Sequence, residues 1–247
     1  MSVLAVAALS KSFGGVHAVQ DVSFALAAGR LLAMIGPNGA GKTTCFNILN
    51  GQLAADSGRV TIAGVDTTGS PPRKIWRLGV GRTFQITATF STMTVRENVQ
   101  VALLSYQRRL ATWWRAAAGM HRIEADVLLG QVGIAEQGDR PCSELAYGDL
   151  KRVELAVALA NQPKLLLMDE PTAGMAPQER NDLMALVVSI VRAKGIAVLF
   201  TEHDMDVVFA HADEIIVLDR GRLIAHGTPP EVRANPLVQR VYLGSRH

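Results

Sequence analysis

The sequence is short of cysteine, of surplus charge and of long apolar runs, and each shortage removes a class of protein. Its two cysteines, Cys45 and Cys142, can build no disulfide framework and match no metal-ligand spacing. A formal charge of +3 comes from basic residues scattered in short groups (Arg73-Lys74, Arg108-Arg109, Lys151-Arg152), so no nucleic-acid surface is expected. No uninterrupted apolar run approaches the length needed to cross a bilayer. The apolar start has no basic region ahead of it and runs on into strand-like sequence, so we read no signal peptide. These absences predict a reducing cytosolic setting, with any membrane role exercised through a partner. No repeat of solenoid period occurs. The 49% hydrophobic and 19% charged content excludes disorder, and 247 residues suit one large domain or a core with a subdomain.

What is present is organised around Gly36-Pro37-Asn38-Gly39-Ala40-Gly41-Lys42-Thr43-Thr44. An apolar run, residues 31–35, precedes it, and helix-like sequence from Cys45 follows. This is a strand, a glycine-rich turn and a helix with the full G-x-x-x-x-G-K-[ST] spacing. The glycines let several backbone N–H groups converge on phosphate oxygens, and the helix start adds free N–H groups and its positive dipole end. Lys42 is expected to reach the β- and γ-phosphates, and the Thr43 hydroxyl to coordinate Mg²⁺. The stretch predicts a nucleoside-triphosphate site.

Around it the pattern is α/β. Residues 3–8, 21–26 and 59–63 read as strands of an antiparallel layer beside the main sheet. Phe13 is expected in a loop, where it can stack on an adenine ring. From Gly81-Arg82-Thr83-Phe84-Gln85 onward the spacing turns helical, over residues 95–106 and 123–132. Between these, Trp113-Trp114 lies among three arginines and suits a partner, lipid headgroups or simple packing. Residues 164–168 form a continuous apolar run ending in Asp169-Glu170, as a buried parallel strand does. A helix over 177–193 opens on proline and stops at Gly195. A further strand, 196–201, ends at Glu202-His203, and a hairpin turns at Arg220-Gly221.

In an open parallel sheet, ligands sit beyond the carboxyl ends of the strands. The glycine-rich loop, Asp169-Glu170 and His203 all fall there, which makes them one site. Asp169 suits the outer shell of Mg²⁺, Glu170 suits polarisation of an attacking water, and His203 suits the γ-phosphate or that same water.

These residues, with Gln85 and Leu145-Ala146-Tyr147-Gly148-Asp149, stand in the order found in ATP-binding subunits of ABC transporters, which the whole chain resembles. The resemblance implies a P-loop NTPase core with a mainly parallel sheet, an antiparallel β-layer and an inserted helical subdomain. Residues 1–247 would then be one ATP-binding domain, with the core in 1–85 and 161–247 and the helical arm in 86–160. It further implies an ATPase that binds ATP and Mg²⁺. Two subunits would sandwich ATP between the P-loop of one (Gly36, Asn38, Gly39, Ala40, Gly41, Lys42, Thr43, Thr44) and the signature of the other (Leu145, Ala146, Tyr147, Gly148). Gln85 would sense Mg²⁺ and the γ-phosphate, Phe13 would stack on adenine, and Thr43, Gln85 and Asp169 would serve the metal. The implied partners are a second ATP-binding subunit, as homodimer or heterodimer, transmembrane permeases and, indirectly, a periplasmic binding protein. The implied location is the cytoplasmic face of the inner membrane.

Two departures stand out. Leu-Ala-Tyr-Gly-Asp replaces the usual Leu-Ser-Gly-Gly-Gln, so Ala146 lacks the hydroxyl that contacts the γ-phosphate. Ala173-Gly174-Met175-Ala176 replaces Ser-Ala-Leu-Asp, so the aspartate is missing at Ala176. Gly81-Arg82-Thr83-Phe84-Gln85, the Tyr147 signature, Glu202-His203-Asp204-Met205 and Val241-Tyr242-Leu243-Gly244 resemble the first of two ATP-binding subunits of branched-chain amino-acid importers. Relatives serving urea, other amino acids or lipopolysaccharide export share much of this pattern. A nucleic-acid ABC ATPase would need two cassettes or a long insertion, and a GTP switch would need Asn-Lys-x-Asp. The chain has none of these.

Overall fold

The computed structural model describes residues 2–83, 89–106 and 120–243, so the Gln85 and Trp113-Trp114 expectations lie outside the described residues. A six-stranded sheet carries the molecule. Its order is β10 (Arg222–Gly227), β9 (Glu214–Asp219), β3 (Leu31–Ile35), β8 (Ala197–Thr201), β7 (Leu165–Asp169), β6 (Val80–Thr83). All neighbours run parallel except the β9–β10 hairpin. A second, antiparallel sheet has the order β2 (Val16–Ala27), β1 (Ser2–Phe13), β4 (Ser57–Ile62), β5 (Val65–Asp66).

Side chains alternate across a strand, and β3 shows what that does. Leu31, Ala33 and Ile35 enter an apolar cluster with the helical side of the molecule. Leu32 and Met34 enter the other cluster, with the antiparallel sheet and α1 (Lys42–Leu49). Both faces are covered, which is why the central strands read as unbroken apolar runs. Helix α1 fills the gap between the sheets with Cys45, Phe46 and Leu49, all fully buried.

The first hairpin is longer than the sequence predicts. β1 and β2 span 12 residues each, and Phe13 is the last residue of β1, paired with Val16, not a loop residue. The polar run Ser10-Lys11-Ser12 hides the strand from a pattern reading. The register also slips, with Ala8 and Asp21 both in the left-handed region at φ 51°. Serine hydroxyls take up two amides beside these irregularities, Ser23 Oγ from Ala8 N (2.8 Å) and Ser10 Oγ from Asp21 N (3.0 Å). Slips of this kind twist and bend a strand without breaking it.

Between β4 and β7 lie α2 (Pro72–Arg77), α3 (Val95–Tyr106), α4 (Arg122–Gln131) and α5 (Tyr147–Leu159). Arg96 on α3 is paired with Asp126 on α4 and with Asp139 beyond it, locking the two helices together. Helix α6 (Pro177–Lys194) opens on proline and stops at Gly195 in the left-handed conformation (φ 67°), as the sequence predicts. Helices α7 (Met205–His211), α8 (Pro229–Ala234) and α9 (Pro236–Leu243) complete the described chain. No helix among the described residues is long and apolar enough to cross a membrane.

Candidate nucleotide site

The glycine-rich loop leaves β3 and turns into α1 through positions no other residue fits. Gly41 has φ 103° and is the N-cap of α1, and a side-chain carbon there would collide with the Ala18 carbonyl oxygen. At Gly36 a side-chain carbon would collide with the carbonyl oxygen of Leu218. The loop is braced from outside by two hairpins. Gly221 N donates to Ala40 O at 3.0 Å, and Gln20 N donates to Gly221 O at 2.7 Å. The Arg220-Gly221 turn, with both residues at positive φ, therefore supports the loop as well as joining β9 to β10. The turn chemistry was legible in the sequence, but its bond to the loop had no local signal.

Phe13, Asn38, Gly39, Ala40, Gly41, Lys42, Thr43, Thr44, Glu170 and His203 line one cavity of about 610 Å³. Val16, His17, Ala18, Gln20 and Arg220 join them, and no local motif marks any of these five for the site. Phe13 is half exposed, with the Lys11 ammonium 5.5 Å from its ring centre. Lys42 is buried, and its Nζ donates to the carbonyls of Gly36 (2.6 Å) and Pro37 (3.1 Å). Burial lowers its pKa from the ordinary lysine value, while the carboxylates of Glu170 and Asp169 act the other way.

The carboxylates sit at the end of β7 and are held by the end of β8. Thr201 Oγ1 donates to Asp169 Oδ1 at 2.8 Å, and Glu170 N donates to that same hydroxyl oxygen (3.1 Å) and to Thr201 O (3.2 Å). Glu170 has φ 48°, a conformation that costs about 1–3 kcal/mol for a residue with a side chain. The two bonds to Thr201 secure it there. His203 Nε2 lies 2.8 Å from Glu170 Oε1, so the imidazole and the carboxylate form a pair that neither motif announces alone. Arg82 Nη2 stands 3.7 Å from Asp169 Oδ2.

The donor set suits Mg²⁺. That ion prefers oxygen ligands and keeps water and phosphate oxygens in most positions, so one hydroxyl and one carboxylate from the protein suffice. Thr43, on the cavity wall, carries such a hydroxyl and Asp169, just behind it, such a carboxylate, and no cluster of three His, Cys, Asp or Glu stands among the described residues as an all-protein cage would require.

The signature stretch is elsewhere. None of Leu145, Ala146, Tyr147 and Gly148 lines the cavity. Ala146 is the N-cap of α5 and offers no side-chain cap. Asp149 accepts from Gln137 Nε2 at 2.7 Å. A side-chain carbon on Gly148 would sit 3.6 Å from Met175 Cε, and one on Gly174 would sit 3.5 Å from Tyr147 Cε1. The signature thus packs on the loop that follows Glu170, in the same chain.

A family model described as ABC transporter matches residues 19–173, and one described as branched-chain amino acid ATP-binding cassette transporter matches residues 222–247. The chain is 39% identical over 249 residues to the high-affinity branched-chain amino acid transport ATP-binding protein LivG of Salmonella typhimurium, with 98% of each chain covered. It is 38% identical over 252 residues to BraF of Pseudomonas aeruginosa, a protein of the same description, again with 98% of each covered. Among solved structures, the ADP conformation of MJ1267, an ATP-binding cassette of an ABC transporter, matches with a TM-score of 0.88 and 32% identity, over 99% of this chain and all of that one. Taken with the loop, Glu170 and His203 and the cavity these three share, these likenesses place the chain in the ABC transporter family as an ATP-hydrolysing subunit of the branched-chain amino-acid type.

Proposed function

We propose that this cassette binds ATP with Mg²⁺ in the 610 Å³ cavity and drives uptake of branched-chain amino acids through membrane-embedded permeases. The observation that carries the chemistry is the convergence of the loop after β3, Glu170 after β7 and His203 after β8 on that one cavity. Phe13 offers its exposed ring to the base. The N–H groups from Asn38 to Thr44, with Lys42, hold the phosphates. Thr43 and Asp169 hold the metal, with Gln85 as a further ligand and sensor of the γ-phosphate. Bound Mg²⁺ supplies charge neutralisation at the phosphate oxygens. Glu170 orients and deprotonates the attacking water, and His203, through its 2.8 Å contact, fixes the carboxylate and its proton.

Signature residues Leu145–148 lie off this cavity, which supports a site completed by the signature of a second ATP-binding subunit, its own copy or a sister chain. The membrane side is then reached through partners, at the cytoplasmic face. The substrate assignment rests on the matched segment 222–247 and on what the relatives are said to transport.

Turnover in Glu170→Gln should fall by about a hundredfold or more while ATP still binds, and undiminished hydrolysis would remove Glu170 from the role of base. Lys42→Ala should weaken ATP binding about tenfold or more. For the substrate, vesicles holding the assembled transporter should take up labelled leucine only with ATP inside the compartment facing this subunit. Uptake of urea in preference to leucine would overturn the assignment.

A further inference from the structure

Glu202 is almost fully buried, carries a carboxylate, and takes no part in the cavity wall. Burying a carboxylate is costly unless hydrogen-bond donors surround it. Here they come from two loops. Thr172 N (2.8 Å) and Thr172 Oγ1 (2.6 Å) both donate to Glu202 Oε1, and His203 N donates to Oε2 at 3.2 Å. Thr172 is itself buried, two residues after Glu170.

Three consecutive residues, from the last of one strand onward, thus tie down the loop that follows its neighbour. Thr201 holds Asp169 and the backbone of Glu170, Glu202 holds Thr172, and His203 meets the Glu170 side chain. A second tie stands beside it. Arg180 donates from Nε to Met175 O (2.7 Å) and from Nη1 to Asp204 Oδ2 (2.5 Å), joining the same two loops farther out. Glu170, in its left-handed conformation, is thus anchored on its N-terminal side by Thr201 and on its C-terminal side by the Glu202–Thr172 clamp.

We infer that Glu202 is a positioning residue for ATP hydrolysis, which sets the contact between Glu170 and His203 by gripping Thr172 with one oxygen and the His203 peptide with the other. It lines no part of the cavity, so it belongs to the rate of the chemical step and not to ATP affinity. The inference rests on Glu170 and His203 acting in hydrolysis as proposed above.

The test uses the full-length chain with Glu202→Ala, Glu202→Gln and Thr172→Val. Glu202→Ala should lower kcat by about tenfold to a hundredfold with ATP affinity within about twofold, since a displacement near 1 Å costs that much. Glu202→Gln keeps an acceptor for Thr172 and loses the one for His203 N, so its kcat should fall between the two. Thr172→Val, which removes one hydroxyl and leaves the carboxylate and the Thr172 amide, should act in the same direction with a smaller loss. In protein labelled with ¹⁵N-histidine, the His203 ring signals should move in Glu202→Ala, whether or not turnover is measured, because the contact with Glu170 is altered. The Glu202→Ala loss should largely vanish in a His203→Ala background, where there is no pair left to position. Wild-type kcat in folded Glu202→Ala, an unmoved His203 signal, or a loss that simply adds to that of His203→Ala would overturn the inference. A failure of the Glu170 reading is separate, because it shows as wild-type turnover in Glu170→Gln.

Discussion

Replacing Ala176 by aspartate should stabilise this protein, by an amount that follows from one turn of helix. Ala176 is the N-cap of α6, with φ −67° and ψ 153°, and proline follows at the first helical position. Its N–H donates to Glu179 Oε2 at 3.2 Å, one half of a reciprocal capping pair. The methyl side chain cannot supply the other half, an acceptor for the Glu179 N–H. Aspartate can, and the position is exposed, so no neighbour has to repack. A capping side chain in place of alanine is worth about 0.5–2 kcal/mol, and a negative charge at a helix start about 0.3–1 kcal/mol. Repulsion from Glu179 offsets part of the second figure, leaving about 1 kcal/mol. In a chain of this size that is about 2–4 °C in Tm. Urea unfolding measures it as a raised midpoint at unchanged slope. Ala176→Ser keeps the hydrogen bond without the charge and should retain most of the gain. A midpoint equal to or below that of the parent would refute the reasoning, since the first turn would then already have its acceptors.

Three further outcomes follow from the geometry. Gly41→Ala should fold and lose ATP binding, because it forces a left-handed φ of 103° on alanine and drives its side chain into the Ala18 carbonyl, and unchanged affinity would contradict the description of the loop. Burial pushes the Cys45 thiol up to about 12 from its ordinary 9.0, so it should resist alkylation at pH 8 until the protein unfolds. The folded state keeps a proton that the unfolded chain loses above pH 9, so stability falls as pH rises through that window. Cys45→Ala should remove about 1.4 kcal/mol of the loss between pH 8 and pH 10. Burial acts to raise the Asp204 pKa, but the Arg180 hydrogen bond and the N–H groups of Val207 and Asp206 together hold it below the usual carboxylate value. Its contribution is present above about pH 4 and is lost as pH falls through the depressed value, so Arg180→Ala should show a shallower acid destabilisation than the parent.

The parts of the site that local sequence encodes are legible in the sequence alone. The strand–loop–helix at Gly36–Thr44 has its own spacing, and the apolar run ending at Asp169-Glu170 predicts a buried strand with carboxylates at its tip. Gly195 and Pro177 mark both ends of α6 because their backbone chemistry permits little else. Partnerships between distant residues were not legible. Nothing near Ala18 or Gly221 says that one sits against Gly41 and the other donates to Ala40, some 20 and 180 positions away. The His203–Glu170 pair and the Glu202–Thr172 clamp arise because β7 and β8 are neighbours in register, Asp169 beside Thr201. That register ends both strands side by side, so the residues that follow them, 170–172 and 202–203, leave the sheet together. Phe13 reads as a loop residue for a different reason. Polar residues and three register slips conceal the outer half of β1, and the two glycines that suggest a loop instead make a tight turn between long strands.

The proposal's central requirement is that a complete site forms between two subunits, because the signature packs beside the loop after Glu170 and not on the cavity. Sedimentation velocity of Glu170→Gln with Mg-ATP, alone and mixed with the second ATP-binding subunit of its transporter, tests this most directly. The expected result is a stable dimer in one of the two mixtures, abolished by Gly148→Arg in the subunit whose signature is engaged while nucleotide affinity is kept. Monomers in both mixtures, with ATP bound at saturation, would contradict it.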